Sequence, residues 1–354
     1  MEKQVRVDPQ EENKKKKILI LFCGGTISMS KNADTGALDV AHGAEQFFRL
    51  EPRIVEIAEI DVRNVMNIDS SNANPENWQQ IGEAISEEYE KYDGFLITHG
   101  TNTMAYTASA LSFSLQNIGK PVVLTGAQVP AEVISTDGRN NLVNALRVCT
   151  LDISGVFVVF GSKIIMGARS KKISESDLDA FATFNAGDFG RISIGIELKG
   201  QVKPRHPGGL NLVNTFDRSV VCLTMIPGIQ PDFLTKLIDS GAKGLILRGY
   251  GSGDLPAELF PALEYAQQKK VPVVVTTQCP GGATLLGVDT VGLEAIKRGV
   301  IQVFDMSMEC MSTKLMWLLG QGTPYEKIKE RMQFNMLGEV DLRKALIFLN
   351  KELL

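Results

Sequence analysis

The sequence lacks most of the signals that mark a metal, a membrane or a nucleic acid. Its three histidines, His42, His99 and His206, lie far apart and pair with no second histidine or cysteine at ligand spacing, so the expected metal site is none. The five cysteines, Cys23, Cys149, Cys222, Cys279 and Cys310, are scattered and odd in number and show no C-x-x-C spacing. They read as reduced thiols in a cytoplasmic protein. No apolar run reaches the roughly 18 residues of a membrane span, and the segment MEKQVRVDPQEENKKKK has no apolar core of a secretory signal. A net charge of −4 gives no surface for a polyanion, so no nucleic acid is expected, and the one basic run, Lys14 to Lys17, reads as the solvated end of a polar leader over 1–15. Glycines follow the first strand-like run in FCGGTIS, yet neither G-x-G-x-x-G nor G-K-[ST] occurs, and no cofactor is predicted.

What is present is the grammar of an α/β protein. The runs KILILF, GFLIT, PVVLTG and GVFVVFG are continuously apolar, which suits parallel strands covered on both faces. Between them, Trp78, Ile81, Ile85 and Tyr89 recur on one helical stripe, with Asn74 as N-cap and Pro75 at the first helical position. Met104, Ala108, Leu111 and Leu115 repeat the pattern. A chain of 354 residues is long for one core. The expected architecture is a larger N-terminal domain over 16–199 with a doubly wound, mostly parallel sheet, and a smaller C-terminal α/β domain over 218–354. The Pro- and Gly-containing stretch 200–217 reads as the linker. In the second half VVCLTMI, KGLILRGYG and VPVVVTTQ read as strands, and STKLMWLLG and DLRKALIFLNKELL as helices. Leu315, Trp317 and Leu318 read as packing, Met306, Met308 and Met311 as filling a core or subunit seam, and the helix from Asp341 to Leu354 as a candidate subunit interface.

Ligands of open α/β sheets bind beyond the carboxyl ends of the strands. Thr26, Thr101 and Ala127 all follow strand-like runs, which gathers three segments around one crevice. Thr101, Asn102 and Thr103 sit where a helix opens, so Thr101 reads equally as an N-cap and as a functional hydroxyl. Arg169, Lys171 and Lys172 supply cations, and a lysine desolvated beside a threonine can help hold or remove a hydroxyl proton.

Six segments in order, GGTIS, DSSNANPENW, the run from Tyr92 to Pro130, STDGRNNLVNAL, KISESDLDAF and DMSMECMSTKLMWLLG, resemble the bacterial-type L-asparaginases, and most nearly their cytoplasmic type I branch. The resemblance runs from about Lys16 to the C-terminus. It implies an amidohydrolase that turns asparagine into aspartate and ammonia through an acyl-enzyme, with neither metal nor organic cofactor. It assigns Thr26 as nucleophile, Thr101 as the second threonine and Lys172, by its spacing to Asp179–Phe181, as the lysine beside it. Ser70, Ser71, Asn102, Ala127 and Glu309 match substrate-holding positions. Arg248, Gln278 and Cys279 match a regulatory amino-acid pocket, and a homodimer or homotetramer is implied. The chemistry agrees: an amide is a poor electrophile and a neutral alcohol a poor nucleophile, so a relay that activates the hydroxyl is needed. Backbone donors around the oxyanion contribute roughly 3–4 kcal/mol each.

Three positions depart from that family's pattern. Asn102 stands where Gly-Thr-Asp-Thr is usual, Asn72 where Asp-Ser-Ser-Asp is usual, and Gly36-Ala37 where the lid carries Gly-Tyr. Two carboxylates become amides and a phenol becomes a methyl group. The exchange at 102 alone predicts about tenfold weaker binding of an α-ammonium, the difference between charged and neutral hydrogen bonds. The leading expectation is asparagine amidohydrolysis, weakened by Asn102 and Ala37. The alternatives are an amidase with an altered substrate and a non-catalytic homologue that binds small amino acids. A tRNA-linked amidotransferase subunit, which expects an extra N-terminal β domain, finds no room for it in the short polar leader.

Overall fold

In the first half of the chain the apolar runs form the centre of one mixed sheet, seen here in a computed structural model. Residues 5–7, 15–25, 29–31, 38–40, 45–131, 133–199 and 201–341 are described, with side chains from 15–25, 48–131, 133–199 and 201–341. Thr26, Gly36, Ala37 and the expected C-terminal helix from residue 342 onward lie outside the described residues. The sheet's strands are β1 (Val5–Val7), β2 (Lys17–Gly24), β3 (Glu59–Ile68), β4 (Gly94–Thr98), β5 (Pro121–Thr125), β6 (Gly155–Phe160), β7 (Lys163–Met166), β8 (Gly190–Ile192) and β9 (Ile196–Leu198). Among the described residues their order is β1-β9-β8-β7-β6-β5-β4-β2-β3.

Strands β2 to β6 run parallel. Strands β7, β8, β9 and β1 extend the sheet antiparallel. Strand β2 lies between β3 and β4, so the order reverses there and a topological switch point opens beyond the carboxyl ends of β2 and β4. The outermost strand β1 comes from the segment expected as a polar leader. It pairs with β9 in the register that sets Val5 opposite Leu198 and Val7 opposite Ile196.

The alternation of strand side chains builds a core on each face. Ile18, Ile20 and Phe22 pack with Leu142, Ala145 and Leu146 on one face. Leu19, Leu21 and Cys23 pack on the other with Ile81, Ile85, Met104 and Leu111. Each such side chain contributes about 1.5–3 kcal/mol by leaving water. Helix α1 (Pro75–Glu88) starts on a reciprocal cap, Asn74 Oδ1 accepting from Asn77 N and Asn77 Oδ1 from Asn74 N. Helix α2 (Met104–Ser114) is buried almost all round, and α3 (Gly138–Cys149) covers the opposite face.

The chain divides into two compact units between Asn214 and Thr215. The stretch before that point is fastened to the first unit. The Arg205 guanidinium donates to the carbonyls of Asp93, Leu151 and Cys149, and Asn211–Leu212 pairs with Leu115–Gln116.

The second unit has a parallel sheet, β10 (Val220–Thr224), β11 (Gly244–Gly249), β12 (Val273–Thr277) and β13 (Ile301–Gln302), in that order. Strand β10 lies at one edge of this sheet and is half-exposed along its length. Helix α4 (Met308–Gly320) buries Met311, Leu315, Trp317 and Leu318, and Met306 just before it is also buried. The wholly buried Lys314 ammonium donates to Glu339 Oε1 at 2.6 Å and to the carbonyls of Met332 and Phe334. All five cysteines are free, and burial pushes the Cys23 and Cys149 thiols well up from their ordinary value.

Candidate active site

The switch point brings two strand ends together through glycine. A Cβ at Gly25, whose φ is +93°, would sit 2.5 Å from the amide nitrogen of Gly100, so the turn after β2 lies directly on the turn after β4. Thr26, the next residue, lies outside the described residues. His99 anchors the second turn from within. Its Nδ1–H donates to Gly100 O at 2.8 Å, and Nε2 accepts from Thr107 Oγ1 at 3.0 Å. That pair of bonds fits the neutral imidazole, and burial holds its pKa below the ordinary value.

Thr101 follows, and it is not a helix cap. Helix α2 begins at Met104, and Thr103 occupies the cap position with its hydroxyl donating to Ser70 O at 2.7 Å. The Thr101 side chain is left for the cleft. Its Oγ1 donates to Gln128 Oε1 at 3.0 Å and accepts from Lys172 Nζ at 2.8 Å. Lys172 also donates to Asn102 Oδ1 at 3.0 Å. Removal from water lowers the Lys172 pKa, and Glu175 opposes that shift. Lys171, its neighbour on the strand, turns away to lie over the Phe184 ring.

Lys172 is carried by Ser170–Lys172, which pairs with Phe181–Thr183. The strand is entered through a turn at Gly167–Arg169 pressed on α2, where a Cβ at Gly167 would meet Ser112 Oγ at 2.6 Å. Ser109 Oγ donates to Gly167 O at 3.2 Å. The buried helix thus fixes both the start of the Thr101 turn and the approach of the lysine strand. From another side, Ser70–Asn72 forms a tight turn capped by Asp69, whose Oδ1 accepts from Ser71 N at 2.8 Å. Ser70 is buried, and Ser71 is exposed and accepts from Asn102 Nδ2 at 3.0 Å. Thr101, Lys172, Asn102 and Ser71 therefore share one hydrogen-bonded cluster, and Ser70 sits beside it with its carbonyl held by Thr103.

Ala127 is fully buried after β5, and the residues beside it hold that turn. Asp137, at the start of α3, accepts from the backbone of Gln128 and Val129, and Asn141 donates to Gly126 O. Gln128 Nε2 donates to the carbonyls of Glu175 and Asp177. Sequence reasoning missed Gln128, Asp137 and Asn141. An Asp and an Asn four residues apart at a helix start, after a strand ending in small residues, were the available signal.

Glu309 lies in the second unit, buried in the first turn of α4 behind the Ser307 cap. Gln278 follows β12, and its Nε2 bridges the carbonyls of Met225 and Arg248. Cys279 is exposed, and its N–H donates to Thr277 Oγ1. Arg248, at the end of β11, opposes the rise that burial imposes on the Cys222 thiol.

Residues 17–204 match the family model described as "Asparaginase, N-terminal", and residues 219–332 match "Glutaminase/Asparaginase C-terminal domain". The L-asparaginase of Thermococcus kodakarensis is 37% identical over 328 residues, covering 92% of this chain and 99% of that protein. A glutamyl-tRNA(Gln) amidotransferase component of Pyrococcus abyssi is 33% identical over 334 residues, 91% of this chain and 76% of that one. Among solved structures, L-asparaginase I from Vibrio cholerae has a TM-score of 0.86 at 35% identity, covering 93% of this chain and 100% of that chain. A probable cytoplasmic L-asparaginase from Campylobacter jejuni has a TM-score of 0.75 at 28% identity, covering 91% and 100%. With both halves matched in order and relatives aligned along almost the whole length, the chain belongs to the asparaginase family of amidohydrolases.

Proposed function

We propose that this chain hydrolyses the side-chain amide of a small amino acid of the asparagine type, with Thr26 as nucleophile and Thr101 and Lys172 as its proton relay. Once Lys172 has released a proton, the Thr26 hydroxyl oxygen bonds to the amide carbon as its proton passes to Thr101. The Thr101 hydroxyl turns from Gln128 to give its own proton to the neutral Lys172 amine. The C–N bond breaks, and nitrogen leaves as ammonia with that proton. Water then attacks the ester, the acid leaves, and the Thr26 hydroxyl re-forms. The single observation that carries this reading is the 2.8 Å hydrogen bond from Lys172 Nζ to Thr101 Oγ1 in a partly desolvated cleft. A lysine whose ordinary pKa is lowered gives up its proton more readily, as a base in a relay must. The cytoplasm as its compartment, a homodimer or homotetramer as its assembly, and a regulatory role for Arg248, Gln278 and Cys279 belong to the same proposal. The scattered free thiols and the position of those three residues around strand ends support it.

Ammonia release from L-asparagine, with hydroxylamine present to trap an acyl-enzyme as the hydroxamate, tests the relay. Thr26→Ala is expected to abolish both products, and Thr101→Val to lower kcat/KM by about 10²–10⁴-fold. Full activity in Thr26→Ala would overturn the assignment. A folded protein that releases no ammonia from any small amide, yet is stabilised against heat by amino acids, would identify a binding protein instead.

A further inference from the structure

We propose that Asn102, together with Ser71, makes its side of this cluster a hydrogen-bond donor site, which selects linear amides that carry a carboxylate and lack an α-ammonium, succinamate being the simplest. The inference rests on the amide hydrolysis proposed above and adds the substrate class. The Asn102 side chain is locked in one orientation. An ammonium only donates, so the group facing Lys172 Nζ at 3.0 Å must be the carbonyl oxygen Oδ1. The NH2 end then points to Ser71 Oγ, at 3.0 Å. Because Ser71 Oγ accepts that bond, its own O–H remains to donate. Asn102 keeps a second N–H, and both residues are exposed to a ligand.

Charge points the same way. The acceptors of Lys172 in this cluster, Thr101 Oγ1 and Asn102 Oδ1, are neutral oxygens. Glu175 is the anion that acts on Lys172, and Asp69 directs Oδ1 into its own turn, onto Ser71 N. An aspartate at 102 would accept from both Lys172 and Ser71 and present negative charge to an ammonium. With asparagine there, the Asn102 amide offers an N–H and Ser71 an O–H, which suit the oxygens of a carboxylate. A substrate ammonium placed there meets donors and a second cation. Groups left unpaired or repelled in a site built for the opposite partner are how such sites discriminate.

The test compares L-asparagine with succinamate by ammonia release, and L-aspartate with succinate by calorimetric binding, in the parent and in Asn102→Asp. Residue 102 is exposed, so the near-isosteric variant keeps the fold, checked by an unchanged melting temperature. The parent is expected to use succinamate at least as well as asparagine and to bind succinate more tightly than aspartate. Asn102→Asp is expected to move both ratios toward the amino acid by about tenfold or more. A parent that prefers asparagine and aspartate, or a variant that changes both members of each pair equally, overturns the proposal. So does an absence of binding by both acids. If neither amide is cleaved while the binding ratios behave as expected, the hydrolytic function falls and the selectivity of the cleft stands.

Discussion

Two lysines, one in each unit, carry the same charge under opposite conditions. Lys314 is wholly buried, and its three protons meet three oxygens, one of them the carboxylate of Glu339, itself completely buried. Glu339 in turn accepts from the backbone of Met336 and Leu337. Lys172 is half-buried, and its partners Thr101 and Asn102 offer neutral oxygens. A cation compensated on every side is a fixture that ties the 332–339 segment to α4. A cation partly dried and hydrogen-bonded to neutral oxygens, with Glu175 acting on it only through space, keeps a proton it can release. Burial alone does not separate structure from chemistry, whereas the charge of the partners does.

Substitution can break that contrast. Lys172→Met should lower kcat/KM for amide hydrolysis by about 10²–10⁴-fold and leave the unfolding midpoint nearly unchanged, read by ammonia release and guanidinium titration. Lys314→Met should do the reverse in kind. Losing one member of a buried pair costs about 3–5 kcal/mol, visible as a lower guanidinium midpoint. Equal destabilisation by the two changes would dissolve the distinction. The smallest effect sharpens it with a third buried base. Because burial holds the His99 pKa down, the unfolded chain takes up the proton first as pH falls. The stabilisation from neutral His99 is complete above the unfolded value of about 6.5 and is lost as pH falls from there toward the folded value. Urea midpoints measured on both sides of that pH should differ, and His99→Gln should narrow the difference.

The parallel centre of the first sheet was legible because burial on both faces leaves unbroken apolar runs, as in KILILF and GFLIT. The antiparallel strands that extend it were not. Strands β7, β8, β9 and β1 are three or four residues long, too short for a period to show. The Asn74–Pro75 helix start was legible because capping is local chemistry. The start of α2 was not, because Thr103 gives its hydroxyl to Ser70, thirty-three residues away in sequence. In the site, short segments around Thr101, Ser70 and Lys172 stood out as motifs. Gln128 did not, since its role is set by where three other segments come to rest.

The planar amide of Gln128 holds the Thr101 proton at one end and the backbone of 175–177 at the other. Any excursion of that surface run therefore reorients a hydroxyl at the base of the cleft. With Thr101 in the relay proposed above, shortening or stiffening the run is expected to alter reaction rate ahead of ligand affinity.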